Sequence, residues 1–378
     1  MKNVFKALLV GAIAAAALAS VAATAGSAAS SRSNVQAKAC SFELRVGDVL
    51  PFTGDLAAYG ANLDRAVKLA VTLQNAALKS AGLKGASVKL VGSEDGQTQA
   101  SASVEAATKL VKVNKANVII GEMASGATIP MAQSVTIPSN VVLISPTSSA
   151  PQITLLKDKG LVYRTYPSDA LQGKVLAQAA LAKFGKGATI NIGARNDAFG
   201  SALQALVVSQ WKKLGGNVGA TVSWNPDQAN FDTDAQKLVE GNPAGWIIID
   251  FPDTFEKFVP SLVRSGKWSA SKTLMTEALR NATELDKIGE PVKACSSAPG
   301  KIKANLRAVS AAPGKKVTFI NLGAAVKTLA AGKDVDYEGA FSPVDFDANG
   351  DIGSAVYEIW QYNGAGQIAT LKTITFRS

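Results

Sequence analysis

The chain has 378 residues, with 39 Lys plus Arg, 29 Asp plus Glu, two Cys and no His. Without His, neither a Ser-His-Asp or Cys-His nucleophile nor a His-bearing zinc site can form, and two Cys cannot supply four thiolates. A 47 % hydrophobic, 18 % charged composition is globular, and the scattered basic residues lack the interleaved aromatics of a nucleic-acid groove.

Residues 1–25 place Lys2 and Lys6 before a short Ala-rich apolar run and then small residues. That is the pattern of a signal peptide cleaved after Ala25, and the run is too short for a membrane span. Residues 26–40, rich in Ser and Ala, read as a linker. Export makes Cys40 and Cys295 a candidate disulfide. A lipidated Cys40 and two unpaired, buried cysteines are the other readings.

From residue 42 onward, β-branched runs alternate with helical patterns. FELRVGDVL (42–50) is a strand, followed by a helix with Leu63, Ala66, Val67, Ala70 and Val71 on one face. Strand SVKLVG, a helix over 99–113, strand ANVIIG, a helix after Ser125 and strand VVLIS come next. After residue 165 the helices 169–184, 198–214, 231–240 and 254–265 alternate with ATINIGA, VGATVSW, GWIIID and KTLMTE. Continuous apolar strands between helices predict an α/β fold with parallel sheets covered on both faces. Two such blocks, 43–165 and 166–277, predict two lobes, with ligands outside the carboxyl ends of the strands.

Most chemical motifs fall away on inspection. Asp345, Asp347, Asn349 and Gly350 fit a calcium loop, but its twelfth position is Val356, so a β-turn is the better reading. Two Ser-x-x-Lys matches, at Ser209 and Ser269, lack the companion motifs of serine-lysine enzymes. No glycine-rich phosphate loop occurs. Neither a metal nor a cofactor is expected. Glu94, Asp95 and Glu122 follow strands and could act as a carboxylate acid/base pair, which keeps an exported hydrolase open as an alternative.

Hydroxyls cluster at two strand ends: Ser125 and Thr128 after VIIG, and Ser145, Thr147, Ser148 and Ser149 after VVLI. Hydroxyls and N–H groups at helix starts bind carboxylates, or they cap helices. Across the expected cleft stands Glu277, either as a counter-charge for an ammonium or as a partner of Arg280. A carboxylate site facing an ammonium site describes an amino-acid zwitterion. In an open cleft Glu277 is expected to be solvated.

The stretches VGDVLPFTGDLAAYGANLDRAVKLA, VIIGEMASGAT, ISPTSSAPQIT, YRTYPSDALQG, NDAFGSAL, LMTEAL and DYEGAFSPVDFDANGD resemble the extracytoplasmic solute-binding proteins of branched-chain amino-acid ABC importers. The likeness runs over about residues 42–370. It implies two Rossmann-like lobes with parallel central sheets, joined by three hinge strands. Lobe 1 would hold 41–165 plus about 295–340, and lobe 2 would hold 166–294 plus about 341–378. The resemblance places Ser125, Thr147 and Ser149 on the ligand's carboxylate, Glu277 on its ammonium, and Tyr59 and Phe199 against the ligand. Asp250 adds an acid nearby, in a loop where Phe251 and Pro252 replace the usual Tyr, and Ala124 replaces a Cys before the pocket serine. The resemblance further implies a monomeric, non-enzymatic carrier in the periplasm or cell-envelope space that serves ABC permease subunits. A ligand-binding sensor domain is a further alternative.

Overall fold

The structure is a computed structural model. It describes residues 41–292, 296–297, 315–317, 322–330, 335–337, 346–347, 349–352, 354–362 and 367–377. The expected signal peptide, linker and Cys40–Cys295 pair lie outside the described residues, as does Asp345.

The first half is a run of β/α units: β1 (Phe42–Leu50), α1 (Ala57–Ser80), β2 (Ala86–Asp95), α2 (Ala100–Lys112), β3 (Val118–Gly121), α3 (Ser125–Met131), β4 (Val142–Ser145) and β5 (Val162–Arg164). Its five strands form one parallel sheet in the order β2-β1-β3-β4-β5. Strand ends approach closely here. At Gly121, φ is +130° and a Cβ would stand 1.9 Å from the Val49 carbonyl oxygen, so only glycine fits.

The second half continues with α4 (Asp169–Phe184), β6 (Thr189–Arg195), α5 (Ala198–Lys213), β7 (Asn217–Trp224), α6 (Asp232–Leu238), β8 (Gly245–Ile249), α7 (Pro252–Arg264), β9 (Thr273–Met275), α8 (Ala282–Ile288) and β10 (Ser296–Ser297). Caps fix two helix starts: Ser168 accepts from the Ala170 N–H, and Asp197 from the Gly200 N–H at 2.8 Å. Beyond them lie β11 (Lys315–Val317), α9 (Leu322–Ala330), β12 (Val335–Tyr337), β13 (Ser354–Tyr362) and β14 (Ile368–Arg377). The second sheet has the order β14-β13-β10-β9-β8-β6-β7, parallel from β10 to β7, with β13 and β14 antiparallel at one edge. Strands β11 and β12 pair separately, and Val326 of α9 joins the apolar cluster that covers β1 and α1 of the first half.

Both sheets are packed on two faces, as parallel strands require. One cluster is continuous across the halves, since Leu56, Met123, Ala124 and Ala127 pack with Phe199, Leu203 and Phe251. The chain crosses between the halves after β5. There the fully buried Arg164 is clamped by Asp351 at 2.6 and 3.0 Å, and it also donates to the Ala150 carbonyl and the Thr154 hydroxyl. The Asp347 carboxylate closes its own turn on the N–H groups of Asn349 and Asp351. In this segment the described acids serve a turn and an ion pair.

Candidate functional site

A cavity of about 200 Å³ lies between the carboxyl ends of the two sheets. That is below the roughly 300–1,000 Å³ typical for drug-sized ligands. Tyr59, Ser125, Thr147, Ser149, Phe199 and Glu277, all expected from the sequence, line it. Phe251, in the 250–253 segment expected at the cleft, lines it too, as do Leu56, Met123, Tyr166, Ala278 and Arg280, which the sequence does not mark.

On the side of the first sheet, main-chain carbonyls are laced by hydroxyls. The Glu122 carbonyl accepts from Thr128 at 2.9 Å, Ser145 at 2.6 Å and Ser148 at 3.1 Å. The Met123 carbonyl accepts from Thr147 at 2.9 Å and Ser148 at 3.0 Å. Ser125 does not cap its helix. Its oxygen instead accepts the N–H groups of Ser149 and Ala150, both at 3.1 Å. A hydroxyl has two lone pairs and one proton. With both lone pairs taken, the Ser125 proton remains to be donated at the cavity wall. Thr147 has spent its proton on Met123, so toward an anion it can offer its main-chain N–H.

On the opposite side, Glu277 opens a short 3-10 turn after β9. Its carboxylate accepts from the Gln172 amide and the Tyr166 hydroxyl. The expected solvation of Glu277 is corrected here: burial pushes its pKa up to about 7. Asp169, fully buried at the start of α4, is raised well above the usual carboxylate range by burial and by the charge of Glu277.

The third wall is aromatic, with Phe199 and Phe251 stacked at 5.2 Å and 11°. Across the mouth, the Tyr59 hydroxyl donates to the Ala278 carbonyl at 3.0 Å, which joins the two halves. Asp250 does not line the cavity. Side chains alternate at a strand end, so Phe251 faces the cavity while Asp250 is fully buried, accepting the Phe251 N–H, with Arg195 3.6 Å away. Burial raises its pKa to about 8.

The carboxylates considered for hydrolysis have other work. Glu94 pairs with Lys109 at 2.8 Å. Asp95 accepts from Phe52, Thr53 and Gln97. Glu122 is fully buried and accepts the Ala124 N–H, with its pKa pushed to about 7 by burial. None of the three is among the cavity-lining residues. No group of three potential metal ligands, and no helix long and apolar enough to cross a membrane, occurs among the described residues.

The chain is similar to a Leu/Ile/Val-binding protein homolog of Brucella melitensis, at 29 % identity over 147 residues. That match covers 38 % of this chain and 38 % of the relative, so it spans about two fifths of the relative's length. Among solved structures, a leucine-binding protein of Thermotoga maritima superposes with a TM-score of 0.65 at 18 % identity, over 88 % of this chain and 98 % of that one. A branched-chain amino-acid transporter substrate-binding protein of Streptococcus pneumoniae, in complex with isoleucine, superposes with a TM-score of 0.66 at 16 % identity, over 89 % and 100 %. These likenesses establish the two-sheet α/β fold. Residues 43–298 match the periplasmic binding protein family, and the chain belongs to that family.

Proposed function

We propose that the protein binds a small amino acid, of the branched-chain class or close to it, and delivers it to an ABC importer. In this reading it works outside the cytoplasm, as a monomeric carrier without enzymatic activity. The observation that carries the proposal is the opposition of two chemistries across one cavity. The Ser125 hydroxyl, whose oxygen is held by the Ser149 and Ala150 N–H groups so that its proton is left to donate, and the main-chain N–H of Thr147 suit a carboxylate, and Glu277 suits an ammonium. Leu56, Met123, Phe199 and Phe251 supply an apolar wall for a hydrocarbon side chain. The names of the relatives point to the same ligand class. Ligand contacts to both halves would favour the arrangement in which they meet.

Calorimetry of refolded, ligand-stripped protein against a panel of amino acids tests this reading, and heat from none of them would reject it. A turnover assay on the same panel separates it from a hydrolase.

Ser125→Ala should weaken binding about 10- to 100-fold, through loss of one charge-assisted hydrogen bond in a desolvated site. The same change strands the Ser149 and Ala150 N–H groups, so the melting temperature should fall as well. Titration and a melting curve on one sample check both effects. Lost stability with unchanged affinity would make Ser125 a purely structural residue.

A further inference from the structure

We propose that Arg195 is a positioning residue that ties the meeting of the two halves to the aromatic wall of the cavity. This deepens the ligand-binding reading and rests on it. Arg195 ends β6 and is only 3 % exposed. Within its own half, its Nε holds Asp197 at 2.5 Å, and its Nη1 donates to Thr254 at 3.3 Å and lies 3.6 Å from Asp250. Its Nη2 reaches across to Asp55, in the loop after β1, at 2.6 Å. The Thr254 hydroxyl contacts the same Asp55 oxygen at 3.3 Å.

The guanidinium also lies 3.9 Å above the centre of the Phe251 ring. Phe251 stacks on Phe199, and both line the cavity. One cation therefore touches the other half on one side and the ligand wall on another. Because Asp197 and Thr254 hold Arg195 within its own half, parting the halves does not orphan a buried charge. Only Asp55 returns to water, so the contact can be made and broken repeatedly. A ligand pressed on Phe251 fixes the ring beneath the guanidinium and so favours the Asp55 contact. The Tyr59–Ala278 bond closes the mouth nearby, but it carries no charge.

Asp55→Asn is the direct test, because it removes the bridging charge and leaves Arg195 its partner Asp197. L-isoleucine titration should show a dissociation constant raised about 5- to 30-fold, mainly through faster release. Small-angle scattering in ligand-free solution should show a larger radius of gyration than wild type. Asp55→Glu, which keeps the carboxylate, should recover part of both effects. Asp232→Asn, which removes an exposed carboxylate paired with Arg264, should change neither. Unchanged affinity and unchanged dimensions in Asp55→Asn would overturn the proposal, as would equal changes in Asp232→Asn. If wild type binds no isoleucine, the branched-chain reading fails, while the ligand-free scattering comparison still decides the role of Arg195.

Discussion

Glu277→Gln is expected to remove most of the affinity for an amino acid while raising the melting temperature of the ligand-free protein. The two effects share one cause. Burial lifts the Glu277 carboxyl from 4.5 to about 7. A carboxyl raised on folding stabilises the fold relative to its ionised form only at low pH. That advantage is lost as pH rises from the unfolded value through the folded one, and at pH 8 the buried charge costs about 3 kcal/mol. Glutamine keeps the contacts to Gln172 and Tyr166 without that cost. Asp169, Tyr166 and Tyr357 surround the carboxyl, and Arg280 lines the same cavity. A bound ammonium reverses the balance, because it meets a desolvated counter-charge. Losing that charge should cost about 2–5 kcal/mol, or roughly thirty-fold to a few thousand-fold in affinity. Wild-type affinity should fall by up to about tenfold per unit as the medium is acidified below pH 7, and the Gln variant should be flat. Calorimetric titration at pH 6 and pH 8, with melting curves for both proteins, checks every part. Equal affinities at pH 8 would remove the main support for an ammonium-bearing ligand.

The largest expected loss of stability comes from Arg164→Met. The substitution keeps the bulk of the chain but leaves the Asp351 carboxylate, which holds Arg164 at 2.6 and 3.0 Å, without its partner. Breaking one side of a buried pair costs about 3–5 kcal/mol, about 5 °C in melting temperature for a chain of this size. Adding Asp351→Leu should recover much of the loss, and thermal melts of the three proteins at neutral pH measure it. Failure of the double variant to recover would place the cost in packing of the long side chain.

The chain-order reading came close to the observed elements where periodicity was strong. The helix expected over 169–184 is α4, and the strand expected over 42–50 is β1. Residues at strand ends were legible because the parallel α/β pattern directs them to one edge, which is why Ser125, Ser149 and Glu277 meet around one cavity. Asp250 was misplaced because sequence marks the strand end and not which face the last side chain takes. The burial of Glu277 was not legible, since Gln172 and Tyr166 come from more than a hundred positions earlier in the chain. Arg280 and Met123 reach the cavity through a short turn and a loop, and no periodic signal marks such positions.

The hydroxyl lacing beneath Ser125 has a kinetic consequence. Four hydroxyls, of Thr128, Ser145, Thr147 and Ser148, hold the two carbonyls of the 122–123 segment, and every donor belongs to the first half of the chain. The anchor for a carboxylate is therefore set before the second half arrives, and little order remains to be lost when a ligand lands there. Encounter should begin on this rigid shelf, with the second half folding over afterwards. Capture rates would then follow the shelf, and residence times would follow the contacts that span the gap. Hydrogen exchange should find the Ser149 and Ala150 amides slow with or without ligand, whereas residues around Glu277 should slow only when isoleucine is present.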